Sequence, residues 1–310
     1  MMFRNAYTAL PTPFTSSGDQ VDFDTLEARI RHQASAGITG VVPCGTTGET
    51  PTLSNQERQL VVAHTVKVAR PLGMQVIAGA GANSTITAIE YQKQMEDAGA
   101  DATLQVVPYY NKPSQEGLYR HFHAIADAAE VPVVLYDVPG RTATGFTVDT
   151  VVRLSEHPGI AAIKAASGSL EFVTEVGQRC TLPILSGDDG LAFPIIGLGG
   201  VGVISVVSNV VPELMQLMCK EANRGEQAAA RVHHDKIFEL SKALVSLDSN
   251  PVPLKAALEM LGWDTGVVRP PLVKLPENEC VVLRTILKSL GLLEPGLAPE
   301  PMRAEMNLHE

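Results

Sequence analysis

The feature of the sequence that most restricts its fold is a regular alternation of short apolar runs with segments of helical periodicity. The runs that predict strands cover residues 7–12, 40–44, 75–79, 102–108, 132–138, 160–166, 183–187 and 202–206. Several are continuously apolar, as in VPVVLY and GVGVIS, which is typical of parallel strands covered on both faces. Eight strands that alternate with eight helices over about 225 residues predict an α/β fold, the (β/α)8 or TIM barrel.

An open, doubly wound α/β sheet is the main alternative. Such a sheet usually has fewer strands and a glycine-rich turn after the first one, whereas the first run here ends in PTPF. We therefore predict a barrel with the active site in residues 1–225 and a C-terminal helical extension in residues 226–310. The extension ends in a tail, residues 294–310, whose proline and charge content predicts poor order.

Charge and cysteine content exclude several classes of partner. The chain has 34 acidic and 24 basic side chains and a formal charge of −10, which disfavours binding to nucleic acid. It lacks the run of about 18 apolar residues that a membrane span needs, and its first residues lack the apolar core of a signal peptide. Four widely spaced cysteines predict reduced thiols, so we expect a cytoplasmic protein.

A lysine stands inside the sixth apolar run, IAAIKAASGS. A closed barrel points alternate side chains inward, so Lys164 can enter the interior near the carboxyl ends of the strands, where barrel enzymes keep their active sites. Burial favours the neutral form of a lysine amine, which adds to a carbonyl to form a Schiff base. For this residue alone, a lysine that pairs with a carboxylate or faces the helix layer is an equally good interpretation.

Other strand ends carry polar groups that suit the same chemistry. Tyr136 precedes Lys164 by one β–α unit, hence on the adjacent strand, and its phenol can move protons during imine formation. The GTTGE turn offers the hydroxyls of Thr46 and Thr47 and backbone N–H groups that suit a small carboxylate. Arg141 can bind a second carboxylate through two parallel hydrogen bonds. Each residue alone has a simpler structural explanation: a core tyrosine, a capped loop or a solvated arginine.

In combination these residues predict a class I aldolase, which forms a Schiff base with a small 2-oxo acid. The reactive group is the lysine amine itself, so we expect no cofactor. We expect no catalytic metal either, because the strand ends lack a cluster of His, Asp and Glu ligands. Glu49 is interpreted as a carboxylate that braces its loop and not as a catalyst.

The chain resembles the dihydrodipicolinate synthase and N-acetylneuraminate lyase superfamily along nearly its whole length. The matching segments are TPF at 12–14, GTTGE at 45–49, PYYNKPSQEGLY at 108–119, YDVPGRT at 136–142, IKAASG at 163–168, SGDD at 186–189, GVISV at 202–206 and NPVPLK at 250–255. The lysine of the sixth strand is shared by the whole superfamily. The arginine in VPGRT makes the chain resemble the dihydrodipicolinate synthase branch in particular.

The resemblance implies condensation of pyruvate with aspartate semialdehyde to 4-hydroxy-tetrahydrodipicolinate, for lysine and diaminopimelate synthesis. It implies that Lys164 forms the imine with pyruvate, that Tyr136 is the acid and base beside it, and that Thr46 and Thr47 bind the pyruvate carboxylate. Thr47 would also belong to the proton relay, together with Tyr110, which family members lend across a dimer interface. Arg141 would bind the carboxylate of the semialdehyde, and Gly187 and Ile204 would lie beside the substrate. It also implies a homotetramer built from two tight dimers.

The chain departs from the family pattern at two pairs of positions. Members usually carry Asn where this chain has Asp137 and often Glu where it has Ala165. Members sensitive to feedback by lysine place His at the position of Arg58 and Glu at that of Thr87. We therefore expect lysine to inhibit this protein weakly or not at all.

Three alternatives stay open. A related pyruvate lyase or aldolase, of the N-acetylneuraminate lyase or 2-keto-3-deoxygluconate aldolase type, would share Lys164 and Tyr136, although Arg141 favours the synthase. A catalytically silent barrel that binds a small acid is disfavoured because it would not need the complete set of reactive residues. A metal-dependent hydrolase is the weakest alternative, since the His233-His234 pair lies outside the strand ends.

Overall fold

A computed structural model describes residues 3–293 of the chain. Its eight parallel strands form a closed barrel in sequence order, which confirms the predicted fold. The strands are β1 (Asn5–Ala9), β2 (Gly40–Val42), β3 (Gln75–Gly79), β4 (Ala102–Val106), β5 (Val133–Asp137), β6 (Ile160–Ala165), β7 (Ile184–Ser186) and β8 (Gly202–Ser205). Each overlaps one predicted run. Several runs extend past the strand at the carboxyl end, as residues 102–108 do beyond Val106 of β4.

Two apolar layers follow from the alternation of side chains along the strands. The barrel interior is filled by one cluster that includes Val134 and Tyr136 of β5 and Ala162 of β6. Ile163 and Ala165 of β6 belong to a second cluster between the sheet and the helices. Since Lys164 stands between these two outward residues, it lies on the inner face with Ala162.

Twelve α-helices surround or extend the barrel in residues 3–293. They are α1 (Phe23–Ser35), α2 (Asn55–Ala69), α3 (Thr85–Asp97), α4 (Gln115–Ala128), α5 (Pro139–Thr142), α6 (Val148–Ser155), α7 (Leu170–Arg179), α8 (Ala192–Gly197), α9 (Pro212–Asn223), α10 (Gln227–Ser246), α11 (Val252–Met260) and α12 (Glu277–Ser289). A capping box begins α2, where the side chains of Ser54 and Glu57 each accept a hydrogen bond from the other's backbone N–H. None of these helices is long and apolar enough to cross a membrane.

The C-terminal helices α10–α12 share one hydrophobic core with β1, β2, α1 and α9. No strand of the described residues follows β8, as the sequence predicts. The division of the chain at residue 225 stays a prediction, and the tail at 294–310 lies outside the described residues.

Candidate active site

Lys164 and Tyr136 lie side by side at the carboxyl ends of β6 and β5. They are paired directly in the strand register, as their separation by one β–α unit predicts. Lys164 is only 7% exposed, and its Nζ lies 4.2 Å from the centre of the Tyr136 ring. The amine therefore enters the top of the barrel beside a phenol, where a small carbonyl substrate could meet both groups.

Gly187, just after β7, leaves the space that the lysine side chain occupies. A Cβ at this position would lie 2.9 Å from Lys164 Cε and 2.7 Å from Ala166 Cβ, closer than side-chain carbon atoms normally approach. One strand further, Ile204 of β8 is 1% exposed and belongs to the interior cluster that includes Tyr136. Gly187 thus borders Lys164, and Ile204 is part of the apolar interior beneath the site.

The GTTGE turn follows β2 and contains one buried and one half-buried hydroxyl. Thr47 is 3% exposed, whereas Thr46 is half-buried. The backbone N–H groups of Gly48 and Glu49 donate within the turn, to the carbonyls of Gly45 and Thr46. Within residues 3–293, the N–H groups of Thr46 and Thr47 donate to no protein acceptor. The turn can therefore offer two N–H groups as well as hydroxyls to an anion.

Glu49 does not face the chemistry. Its Oε1 lies 2.5 Å from Lys255 Nζ of α11, and both side chains are fully buried. Its Oε2 accepts a hydrogen bond from the backbone N–H of Arg269 at 2.9 Å. The carboxylate thus joins the turn after β2 to the C-terminal segment, which is the bracing role that the sequence predicts.

The guanidinium of Arg141, a residue of α5, contacts two residues of the C-terminal segment that were not predicted as site residues. Its guanidinium donates to Ser249 Oγ and to the carbonyl of Asn250, each at 3.4 Å, and its side chain is exposed. Asn250 Nδ2 in turn donates to Thr47 Oγ1 at 3.0 Å. The signal available in the sequence was the NPVPLK match, but it lies beyond the last strand and no spacing rule connects it to β2.

Tyr110 is separate from this group in the single chain. It follows β4, has a positive φ of 75° and is 89% exposed. A non-glycine residue in this backbone region is uncommon and carries strain. A tyrosine so exposed is open to contact with another surface.

The departures from the family pattern in the barrel lie on the outer face of the sheet. Asp137 and Ala165 are opposite each other in the β5–β6 register, one residue after Tyr136 and Lys164. Asp137 is buried, its Oδ1 accepts the N–H of Phe146 at 3.0 Å, and burial raises the pKa of its carboxyl to about 6. Both changes therefore leave the inner face, with its amine and phenol, unaltered.

One group in residues 3–293 has the composition of a metal site, but it lies elsewhere. His123 and Asp127 of α4 and His157, just before β6, have ligand atoms within 4.8 Å of one another. His157 Nδ1 accepts the N–H of Gly159 at 3.0 Å, so the neutral ring carries its proton on Nε2, which faces Asp127. Hydrogen bonds satisfy this cluster, and it includes no residue of the candidate active site.

Known proteins are similar to this chain in both sequence and fold. The sequence matches the model of the dihydrodipicolinate synthetase family over residues 2–290. A 4-hydroxy-tetrahydrodipicolinate synthase of Methanocaldococcus jannaschii is 45% identical over 293 residues, which cover 94% of this chain and 100% of the relative. A crystal structure of a dihydrodipicolinate synthase aligns with a TM-score of 0.91 at 45% identity, over 94% of this chain and 100% of the other.

A crystal structure of the dihydrodipicolinate synthase of Cyanidioschyzon merolae with lysine bound also aligns with a TM-score of 0.91, at 40% identity, over 94% of this chain and 99% of the other. The family match spans nearly the whole chain, and both the sequence and the barrel agree with it. The chain belongs to the dihydrodipicolinate synthetase family.

Proposed function

We propose that this protein is a lyase that condenses pyruvate with aspartate semialdehyde to 4-hydroxy-tetrahydrodipicolinate, in lysine and diaminopimelate biosynthesis. The observation that carries the proposal is the amine of Lys164 on the inner face of the barrel, beside Tyr136, at the end of the strands where barrel enzymes hold their substrates. The relative from Methanocaldococcus jannaschii, a 4-hydroxy-tetrahydrodipicolinate synthase at 45% identity, supports the same reaction.

The reaction begins with addition of the Lys164 amine to the C2 carbonyl of pyruvate. The adduct loses water to give an imine, and loss of one C3 proton then gives an enamine. Tyr136, whose ring contacts the amine, is the group to which we assign the acceptance and return of these protons. The N–H groups and hydroxyls of Thr46 and Thr47 hold the pyruvate carboxylate, because they are the anion-binding groups of the adjacent turn.

The enamine carbon then attacks the aldehyde carbon of the semialdehyde, and the aldehyde oxygen takes up a proton. The amino group of the semialdehyde replaces the lysine at C2, which closes the ring and frees Lys164. Arg141 binds the carboxylate of this second substrate. Its two contacts in the free protein are long, 3.4 Å each, so the guanidinium can turn to a carboxylate at low cost.

Tyr110 enters the proposal through assembly. We infer a homotetramer made of two tight dimers, in which each Tyr110 completes the proton relay of the neighbouring subunit. The 89% exposure of this tyrosine in the single chain supports a role at an interface. We place the enzyme in the cytoplasm and assign no cofactor, since the imine on Lys164 supplies the electron sink.

Lysine feedback is expected to be weak or absent. Arg58 is 4% exposed and its guanidinium lies 3.8 Å from the centre of the Tyr91 ring. Asn83, which the chain shares with lysine-sensitive members, donates to the carbonyl of Tyr109. A buried cation at the position of the family's histidine repels the ammonium of lysine. Half-inhibition by submillimolar lysine would contradict this expectation.

A coupled assay tests the function directly. The protein is mixed with pyruvate, aspartate semialdehyde and the next reductase of the lysine pathway, and oxidation of the nicotinamide is followed. Turnover that depends on both substrates is the expected result. Absence of turnover, together with pyruvate trapped on Lys164 by borohydride, would overturn the synthase and direct the search to sugar-derived aldehydes.

A further inference from the structure

Asn250 lies between the two groups assigned to substrate carboxylates. Its side-chain Nδ2 donates to Thr47 Oγ1 at 3.0 Å, and its main-chain carbonyl accepts from Arg141 Nη2 at 3.4 Å. It thus contacts both the pyruvate turn and the arginine for the second substrate, although it comes from the segment before α11, 203 residues from Thr47 in the sequence.

The bond to Thr47 has a direction. An amide nitrogen has protons to give and no lone pair to accept, so the Thr47 oxygen is the acceptor. The single proton of the Thr47 hydroxyl must therefore point away from Asn250. Since Thr47 is 3% exposed, bulk water has little access to this proton, which is left for the substrate carboxylate or the proton relay.

The buried contacts of Lys255 restrict the position of Asn250. Five residues later, Lys255 Nζ lies 2.5 Å from Oε1 of Glu49, which is two residues after Thr47. Lys255 also donates to the carbonyl of Val267 at 2.7 Å. The same two stretches of chain are thus joined twice, once by a buried ion pair and once by the bond from Asn250 to Thr47.

We propose that Asn250 is a positioning residue that fixes the direction of the Thr47 hydroxyl proton and keeps Arg141 in register with it. The inference rests on the proposed function, because Asn250 acts through the role assigned to Thr47. A residue that merely filled space would affect stability, but it would give the reaction no new dependence on pH.

Two variants separate these roles. In Asn250→Ala the donor is lost, so kcat falls by about 10- to 100-fold, while the KM for pyruvate changes by less than about threefold because the backbone N–H groups of the turn remain. Asn250→Asp keeps the size of the side chain, but its carboxylate accepts the Thr47 proton and reverses the bond. Relative to the unmodified protein at the same pH, its activity is low at pH 8 and recovers in part toward pH 5, as the carboxyl regains a proton and donates again.

A double-mutant cycle tests whether Asn250 acts through Thr47. Thr47→Val removes the hydroxyl with little change of volume. In this background, Asn250→Ala should cost less than about twofold further in kcat, because the group on which it acts is already absent. Losses that multiply across the two sites would overturn the proposal.

The readout that separates this inference from the synthase activity is exchange of the C3 protons of pyruvate with deuterated water, followed by NMR. Exchange needs the imine and the proton relay but no aldehyde. If the unmodified protein exchanges protons without condensing the semialdehyde, the proposed function fails, and the cycle still tests Asn250 by exchange rates. No exchange by the unmodified protein would overturn both.

Asn278→Asp is the matched control, since it makes the same chemical change on an exposed site of α12. It should leave the exchange rate and its pH profile unchanged. If folded Asn250→Asp, checked by thermal unfolding, showed the same profile as this control, the positioning role would be refuted.

Discussion

The candidate active site and the C-terminal segment both contain a lysine and an arginine, but in the described part of the chain only those of the C-terminal segment form ion pairs with carboxylates. Lys164 and Lys255 are both buried, and their Nζ atoms lie 4.2 and 4.1 Å from the centres of aromatic rings, of Tyr136 and Phe14. Lys255 also has the carboxylate of Glu49 at 2.5 Å. Among residues 3–293, no carboxylate forms an ion pair with Lys164.

The arginines differ in the same way. Arg269 is paired with Glu57 at 2.6 Å and 3.0 Å and donates to the carbonyls of Gly18, Asp19 and Thr52. Within residues 3–293, the guanidinium of Arg141 donates only to Ser249 and Asn250, each at 3.4 Å. The paired groups hold the segment 249–269 against the barrel, whereas the unpaired ones are those to which the proposed function assigns the substrates.

The largest expected effect is on Lys164. Lys164→Ala should lower turnover by on the order of 10⁴-fold or more and abolish trapping of pyruvate by borohydride, because no imine can form. Mass spectrometry of the trapped protein checks it. Trapping that persisted at Lys255 would break the comparison, since it would show that the paired lysine is the reactive one.

Lys255→Met should have the reverse profile. Removing the ammonium leaves the Glu49 carboxylate buried without its partner, which should lower the free energy of unfolding by about 3–5 kcal/mol. The protein that stays folded should still trap pyruvate on Lys164. The double variant Glu49→Gln/Lys255→Met should recover part of the loss in a urea titration, because the uncompensated charge is gone.

Arg141→Ala should separate the two substrates. The expected loss is about 10²-fold in kcat/KM for the semialdehyde, the size of a charge-assisted pair of hydrogen bonds. Pyruvate trapping should be unchanged, since Arg141 does not contact Lys164. An equal loss in trapping would place Arg141 in the pyruvate site and contradict its assignment.

The barrel fold and the Lys164–Tyr136 pair were predictable from the sequence, because they depend on local periodicity and on the order of the strands. Lys164 and Tyr136 were predicted neighbours because one β–α unit separates them and adjacent strands of a barrel pair in order. The bonds from Asn250 to Thr47 and from Lys255 to Glu49 were not predictable in this way. They join α11 and the residues just before it to the turn after β2 across about 200 residues, and no periodicity in the sequence indicates that contact. The relay role proposed for Tyr110 needs a second subunit, and the strand pattern of one chain does not predict which surface covers this side chain.

The last expected effect concerns Asp137, a buried carboxyl that has no cation beside it among the described residues, in contrast to Glu49. Its pKa in the folded protein is raised to about 6 from an ordinary value of 3.8. Between these pH values the folded protein holds a proton that the unfolded chain has lost. The contribution of this side chain to stability is therefore greatest below about pH 4, falls as the pH rises to about 6 and is constant above.

Asp137→Asn removes this dependence. The amide keeps an oxygen to accept the N–H of Phe146 but carries no charge at any pH. It should stabilise the protein at pH 8 by at most about 3 kcal/mol, the equivalent of about two pKa units, and change it little at pH 4. Urea titrations at both values check this, with the exposed Asp235→Asn of α10 as control.

Since Asp137 faces away from Lys164, activity at pH 8 should hold. A loss of activity with no gain in stability would mean that the Asp137 carboxylate supports the active site from the other face of the sheet. The unpaired groups that serve the site would then include one on the outer face of β5.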